Sequence, residues 1–131
     1  IEREEGVHVQ EVYEAHRVIS EETAKTLSLM MVSSVNNGFG KKARVPGYQL
    51  AGKTGTAQIP KPDGPGYSDQ TIHSFIGFGP VGEYTEPVFV MLTKLDKPTA
   101  VDFSSDSAAP LFGEIAEFLL TYLEVPPQED V

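Results

Sequence analysis

The chain has 131 residues, 19 acidic against 10 basic for a formal net charge of −9, with 40% apolar residues and no cysteine. That length suits one domain or part of one, able to bury roughly two-thirds of its unfolded surface. The charge disfavours nucleic acid and anionic membrane surfaces as partners, and the missing thiols exclude disulfides and thiolate metal sites.

No apolar run reaches membrane-spanning length. The sequence starts at Ile1 without an initiator methionine, so it reads as a piece of a longer protein. Residues 1–17 form a poorly defined lead-in, with loose alternation over Val7–Val18 that suggests extended structure. Ser20 offers an N-cap, and Glu21 and Glu22 fall in the first turn, where the helix dipole favours acids. Ala24, Leu27, Met31 and Val35 follow at helical spacing, with Leu29, Met30 and Val32 widening the stripe. Asn37-Gly38 supplies the stop. The methionine pair reads as core, not as a ligand.

After a basic loop, a strand is predicted from about Tyr48 to Ile59. Ile59–Asp69 carries three prolines and two glycines and reads as an irregular loop. Thr71–Phe78 and Pro87–Leu95 are further strands, rich in β-branched and aromatic residues. Pro98–Asp106 reads as a loop, and Pro110 sits in the first turn of a last helix. Its expected apolar face is Leu111, Phe112, Ile115, Leu119, Tyr122 and Leu123, ended by Pro126-Pro127, with a frayed tail at 128–131. The order predicts an α+β fold: about three antiparallel strands flanked by helices.

The chemistry concentrates in Gly52-Lys53-Thr54-Gly55-Thr56. A cation, two hydroxyls and two side-chain-free residues within five positions suit a backbone lying against a small anionic ligand. Two motifs overlap here. Gly47-Tyr48-Gln49-Leu50-Ala51-Gly52-Lys53-Thr54 matches the phosphate-binding loop Gly-x4-Gly-Lys-Thr. That loop needs a buried strand before it and a helix opening at Lys-Thr. Upstream stands the basic, proline-ended Lys41–Pro46. Downstream, Gly55 and Pro60 would break the helix. The second motif is Lys-Thr-Gly, the third signature of the penicillin-recognising serine enzymes. A plain strand with a lysine on its wet face is the bland alternative.

The neighbouring residues extend the second match. Ser20-Glu21-Glu22-Thr23-Ala24, Gly38-Phe39-Gly40-Lys41-Lys42-Ala43, Gly47 to Gln58, Ser74-Phe75-Ile76-Gly77-Phe78-Gly79-Pro80 and Ala108-Ala109-Pro110-Leu111-Phe112 together resemble the C-terminal part of the transpeptidase domain of class B penicillin-binding proteins, over about residues 18–127. Phe39 departs from the threonine common in that family. No Ser-x-x-Lys occurs, and Ser34-Val35-Asn36 spells Ser-x-Asn only at a helix end, so the nucleophile is expected outside this chain. The piece alone is expected to be inactive.

The resemblance implies a penicillin-binding transpeptidase (β-lactamase-like) fold and a peptidoglycan D,D-transpeptidase acting outside the bacterial membrane on an N-terminal anchor. It implies stem peptides and β-lactams as ligands, the remainder of the domain and other cell-wall synthesis proteins as partners, and no cofactor or metal. By motif match, Lys53 supplies positive potential and a proton-relay contact. Thr54 and Thr56 bind the substrate carboxylate, the Thr56 backbone N–H is an oxyanion donor, and Gly55 leaves room. A phosphate-loop module, a β-lactam sensor and a β-lactamase are the alternatives. Period two puts Lys53 on the face opposite Thr54 and Thr56, which a catalytic edge must overcome. His73, on the adjacent strand, either touches substrate or, the commoner case, is a packed or surface residue. Asp96, Asp102 and Asp106 read as solvated loop acids, and His8 and His16 lack partners at metal-ligand spacing.

Overall fold

The computed structural model describes residues 16–82 and 87–128; most of the weak strand expected at Val7–Val18, together with His8, lies outside them. Helix α1 (Glu21–Asn37) starts where the sequence predicts, with the Ser20 hydroxyl accepting the Thr23 N–H at 3.1 Å. It stops at Asn37-Gly38, as expected. Gly38 is extended at φ −104°, and a Cβ there would lie 2.8 Å from the Ser34 carbonyl oxygen. Val32 and Val35 are buried and Met31 is half-buried. Leu29 and Met30, expected in the core, are exposed, because the buried stripe is narrower than the run of apolar residues.

A short 3-10 turn (Lys41–Ala43) leads toward β1 (Ala51–Pro60), which pairs antiparallel with β2 (Tyr67–Gly79); β2 in turn pairs antiparallel with β3 (Phe89–Asp96). The α+β expectation of three antiparallel strands with helices holds. β2 begins earlier than predicted: an irregularity between Gln58 and Pro60 resets the register so that Pro60 faces Tyr67. The intervening turn is closed by the Lys61 N–H on the Gly66 carbonyl, with Gly66 at φ +96°, a conformation that favours glycine.

A second 3-10 turn (Ser104–Asp106) precedes α2 (Ala108–Tyr122). The buried face of α2 is Ala108, Ala109, Phe112, Gly113, Ala116 and Leu120, while Leu111, Tyr122 and Leu123 are exposed. The expected face is thus rotated, and close approach is the cause. A Cβ on Gly113 would lie 3.0 Å from the Lys42 carbonyl oxygen, so small residues win the contact over large ones. The Phe112 ring reaches Phe75 at 4.7 Å between centroids, within the range of favourable aromatic pairs. Val35, Val45, Leu50, Phe75, Phe112 and Leu120 belong to one core cluster. Of the tail expected to fray at 128–131, only Gln128 lies among the described residues, and it is buried, its amide accepting the Gln49 N–H at 2.7 Å and donating to the Val81 carbonyl at 2.9 Å.

Candidate functional site

Among the described residues β1 is an edge strand, with β2 on one side. Its register with β2 sets the faces: Gly52, Thr54 and Thr56 stand opposite Gly77, Phe75 and His73. Phe75, Gly77 and His73 are buried, so the two threonines extend the helix-covered face to its rim. Lys53 and Gly55 stand opposite Ile76 and Ser74 on the other face. Packing demands a glycine at Gly52, whereas at Gly55 a side chain would only displace the Ser74 hydroxyl. A Cβ at Gly52 would lie 2.4 Å from the Phe75 ring, and one at Gly55 would lie 2.6 Å from the Ser74 hydroxyl.

The period-two difficulty is resolved by the length of lysine. Lys53 Nζ turns back and donates to the Thr54 carbonyl at 3.0 Å and to Thr54 Oγ1 at 3.3 Å. The ammonium therefore reaches the edge from the opposite face. Thr56 is held from the other direction: its Oγ1 accepts the Ser104 N–H at 3.2 Å and donates to Ser104 Oγ at 3.0 Å. Each threonine oxygen thus has an N–H donor on it, so each hydroxyl proton can be redirected to an incoming acceptor. The two residues are about 7 Å apart along the strand. They open on a cavity of about 380 Å³ lined by Phe39, Thr54, Thr56, Phe103, Ser104 and Ser105. Two nearby hydroxyls and one ammonium have the donor chemistry that a carboxylate-sized anion requires.

Lys53, Thr54, Gly55 and Thr56 thereby lie together on β1, with Thr54 and Thr56 lining the cavity. Sequence reasoning missed Ser104 and Ser105, placed in a featureless loop; the Ser104-Ser105-Asp106-Ser107 run before a helix was the available signal. His73 resolves to a buried position, Nδ1 lying 2.8 Å from Ser107 Oγ and Nε2 3.0 Å from Thr71 Oγ1. Of the loop acids, Asp106 departs from plain solvation. It pairs with Lys42 at 2.8 Å, and that hydrogen bond, aided by the lysine charge, holds its carboxyl below the usual value. Asp96 pairs with Lys94 at 3.3 Å. Ser34, Val35 and Asn36 do not line the threonine cavity.

The phosphate-loop alternative fails on geometry. Gly52, Lys53 and Thr54 lie inside β1, and no helix opens there. Among the described residues no His, Asp and Glu cluster is placed to hold a metal ion, and no helix is long and apolar enough to cross a membrane.

A family model described as the penicillin binding protein transpeptidase domain matches residues 1–117. Stage V sporulation protein D of Bacillus subtilis is 40% identical over 115 residues, which cover 87% of this chain and 17% of that protein. A peptidoglycan D,D-transpeptidase FtsI homolog of Chlorokybus atmophyticus is 36% identical, over 87% of this chain and 16% of its own length. The crystal structure of penicillin binding protein 3 from Mycobacterium tuberculosis complexed with ampicillin superimposes with a TM-score of 0.72 at 36% identity, over 87% of this chain and 27% of that one. The chain thus spans about a fifth of the curated relatives it matches, and its three-stranded sheet with helices is a fragment of the transpeptidase-domain fold.

Proposed function

This chain belongs to the penicillin-binding protein transpeptidase family, and from that premise we propose that it is the Lys-Thr-Gly-bearing part of a serine-type peptidoglycan D,D-transpeptidase. The observation that carries the proposal is the Lys53 ammonium folded onto Thr54 at an open edge, beside the cavity that Thr54 and Thr56 line.

In this reading residues 1–131 form the C-terminal part of one transpeptidase domain. A serine from the remainder of that domain attacks the carbonyl carbon of a D-Ala-D-Ala stem peptide. A C–O bond forms, the C–N bond breaks, and the terminal D-Ala leaves with a proton as the free amine. The amine of a neighbouring stem then takes the acyl group and returns the proton to the serine. Thr54 and Thr56 hold the terminal carboxylate through their hydroxyl protons, and Gly55 keeps that stretch of strand slim. Lys53 supplies positive potential and a proton-relay contact toward the serine. Backbone groups alternate sides along a strand. The Thr54 carbonyl accepts from the ammonium at the edge, which sends the Thr56 N–H, two residues on, to the same side. That N–H donates to the oxyanion, where a lost donor costs about 3 kcal/mol.

β-Lactams present a carboxylate and an acyl group to the same donors. The protein acts on the outer face of a bacterial membrane through an N-terminal anchor, alongside other cell-wall synthesis proteins. The test is Lys53→Ala in the full-length protein. Acylation by penicillin is expected to be abolished, with the unfolding temperature unchanged; near-normal acylation overturns the role. Slow deacylation of the wild type accords with a transpeptidase, and fast deacylation overturns that reading in favour of a β-lactamase.

A further inference from the structure

The mechanism above leaves one buried, hydrogen-bonded titratable group without a role. His73 has 0% relative exposure and stands directly opposite Thr56 in the β1–β2 register. Opposed residues on one face of an antiparallel pair have Cβ atoms about 5 Å apart, so the imidazole lies behind the threonine. Its bonds run away from Thr56, toward the segment that holds it. Ser107 Oγ lies 2.8 Å from His73 Nδ1 and 3.3 Å from the Phe103 carbonyl oxygen. Thr71 Oγ1 lies 3.0 Å from Nε2, so both ring nitrogens are engaged by hydroxyls, each able to donate or accept.

Ser107 closes the 3-10 turn, its N–H reaching the Ser104 carbonyl at 3.4 Å. Ser104 is buried, and its N–H and hydroxyl grip Thr56 Oγ1. The bonds run in one sequence from Thr71 through His73, Ser107 and Ser104 to Thr56. Ser107 is also the N-cap residue of α2, its carbonyl accepting the Leu111 N–H at 3.3 Å, but its side chain makes no capping bond and turns to His73 instead.

We propose that His73 is a positioning residue for carboxylate recognition: by holding Ser107 it fixes the Ser104 turn, and so sets where the Thr56 hydroxyl proton is delivered. This rests on the reading of Thr54 and Thr56 as the carboxylate receptor. An imidazole suits the task because it is rigid and spans two hydroxyl partners on opposite sides of one ring.

The experiment compares acylation of the full-length protein by benzylpenicillin and by benzylpenicillin methyl ester, which lacks the carboxylate charge. The readout is the ratio of the two rate constants. A defect confined to packing slows both reactions alike and leaves the ratio unmoved. Thr56→Val lowers the ratio about tenfold, the value of one hydrogen bond to a charged group. His73→Ala lowers it by a similar factor, and adding it to Thr56→Val lowers it no further. His73→Asn, whose amide can donate to or accept from Ser107 in place of Nδ1, restores most of it. Ser107→Ala, which leaves no large void, lowers the ratio as His73→Ala does and decides the matter if His73→Ala does not fold. An unmoved ratio in Ser107→Ala and in any folded His73→Ala overturns the assignment, as does equal loss in His73→Asn and His73→Ala. A wild type that penicillin does not acylate overturns the reading of the site itself, and this assignment with it.

Discussion

The two faces of the sheet are built by opposite rules. The face toward α2 carries His73, Phe75 and Gly77 from β2 and Thr93 from β3, all buried. Each large group there is answered by a small one: Gly52 makes way for the Phe75 ring and Gly77 for Phe112. The Thr93 hydroxyl ties β3 to the first turn of α2 by donating to the Ala108 carbonyl at 2.9 Å. The other face carries Ile76, Leu92 and Val90, which are 49%, 58% and 70% exposed. Both faces are apolar in sequence, yet only one is packed among the described residues. The candidate site sits where they meet, at the β1 edge. Its threonines come from the packed face, which fixes their direction. Its lysine comes from the open face, where a long side chain is free to turn.

The sharpest way to break this contrast is to truncate neighbours on the two faces. Phe75→Ala removes a ring with no exposure that touches Phe112, and a cost of about 3–5 kcal/mol is expected. Ile76→Ala, one residue on, removes a half-exposed side chain and is expected to cost about 1 kcal/mol. Denaturant unfolding of the two variants measures the difference. Equal costs would mean that the open face is covered in the native protein. Next in size is Gly52→Ala. The added methyl meets Phe75 at 2.4 Å, and overpacking of this kind costs about 1–3 kcal/mol. Gly64→Ala, with nothing within 4 Å of the new methyl, is the control and is expected to leave the unfolding midpoint unmoved.

The same contrast explains what was legible in the sequence. Local signals were read well: the Ser20 cap, the three strands, and the Lys-Thr-Gly segment all follow from residues adjacent along the chain. Helix faces were read less well, because an apolar stripe states what is available for burial and not which part is buried. Leu111 and Tyr122 are exposed while Ala109, Gly113 and Ala116 are buried, and at Gly113 the backbone of Lys42 and Ala43 comes too close for a larger residue. The second half of the site was hidden for a related reason. Ser104 acts on Thr56 across 48 positions, and nothing around Ser104 shows that Thr56 is its partner. His73 is a similar case. A histidine on a strand has no local mark of burial, and its two hydroxyl partners come from Thr71, two residues away, and Ser107, thirty-four away.

The smallest expected effect lies behind the site. Lys42 belongs to the first 3-10 turn and Asp106 to the second, the turn that carries Ser104. Their 2.8 Å contact ties the two together across the rim of the packed face, with both side chains substantially exposed. Such a pair contributes little at neutral pH and less in salt. Its pH dependence has a definite sign. The hydrogen bond from Lys42 holds the Asp106 carboxyl below its ordinary value of 3.8. Folding therefore favours the ionised form. The contribution is fully present above 3.8 and is lost as pH falls through the lower folded-state value. Asp106→Asn keeps the shape and removes the charge, so its small deficit against wild type should be constant from neutral pH down to about 4. Below that, the two melting curves should converge. A gap that persists unchanged at the lowest pH where the native state survives would mean that the deficit comes from a hydrogen bond that the amide nitrogen cannot accept, and that the charge contributes nothing.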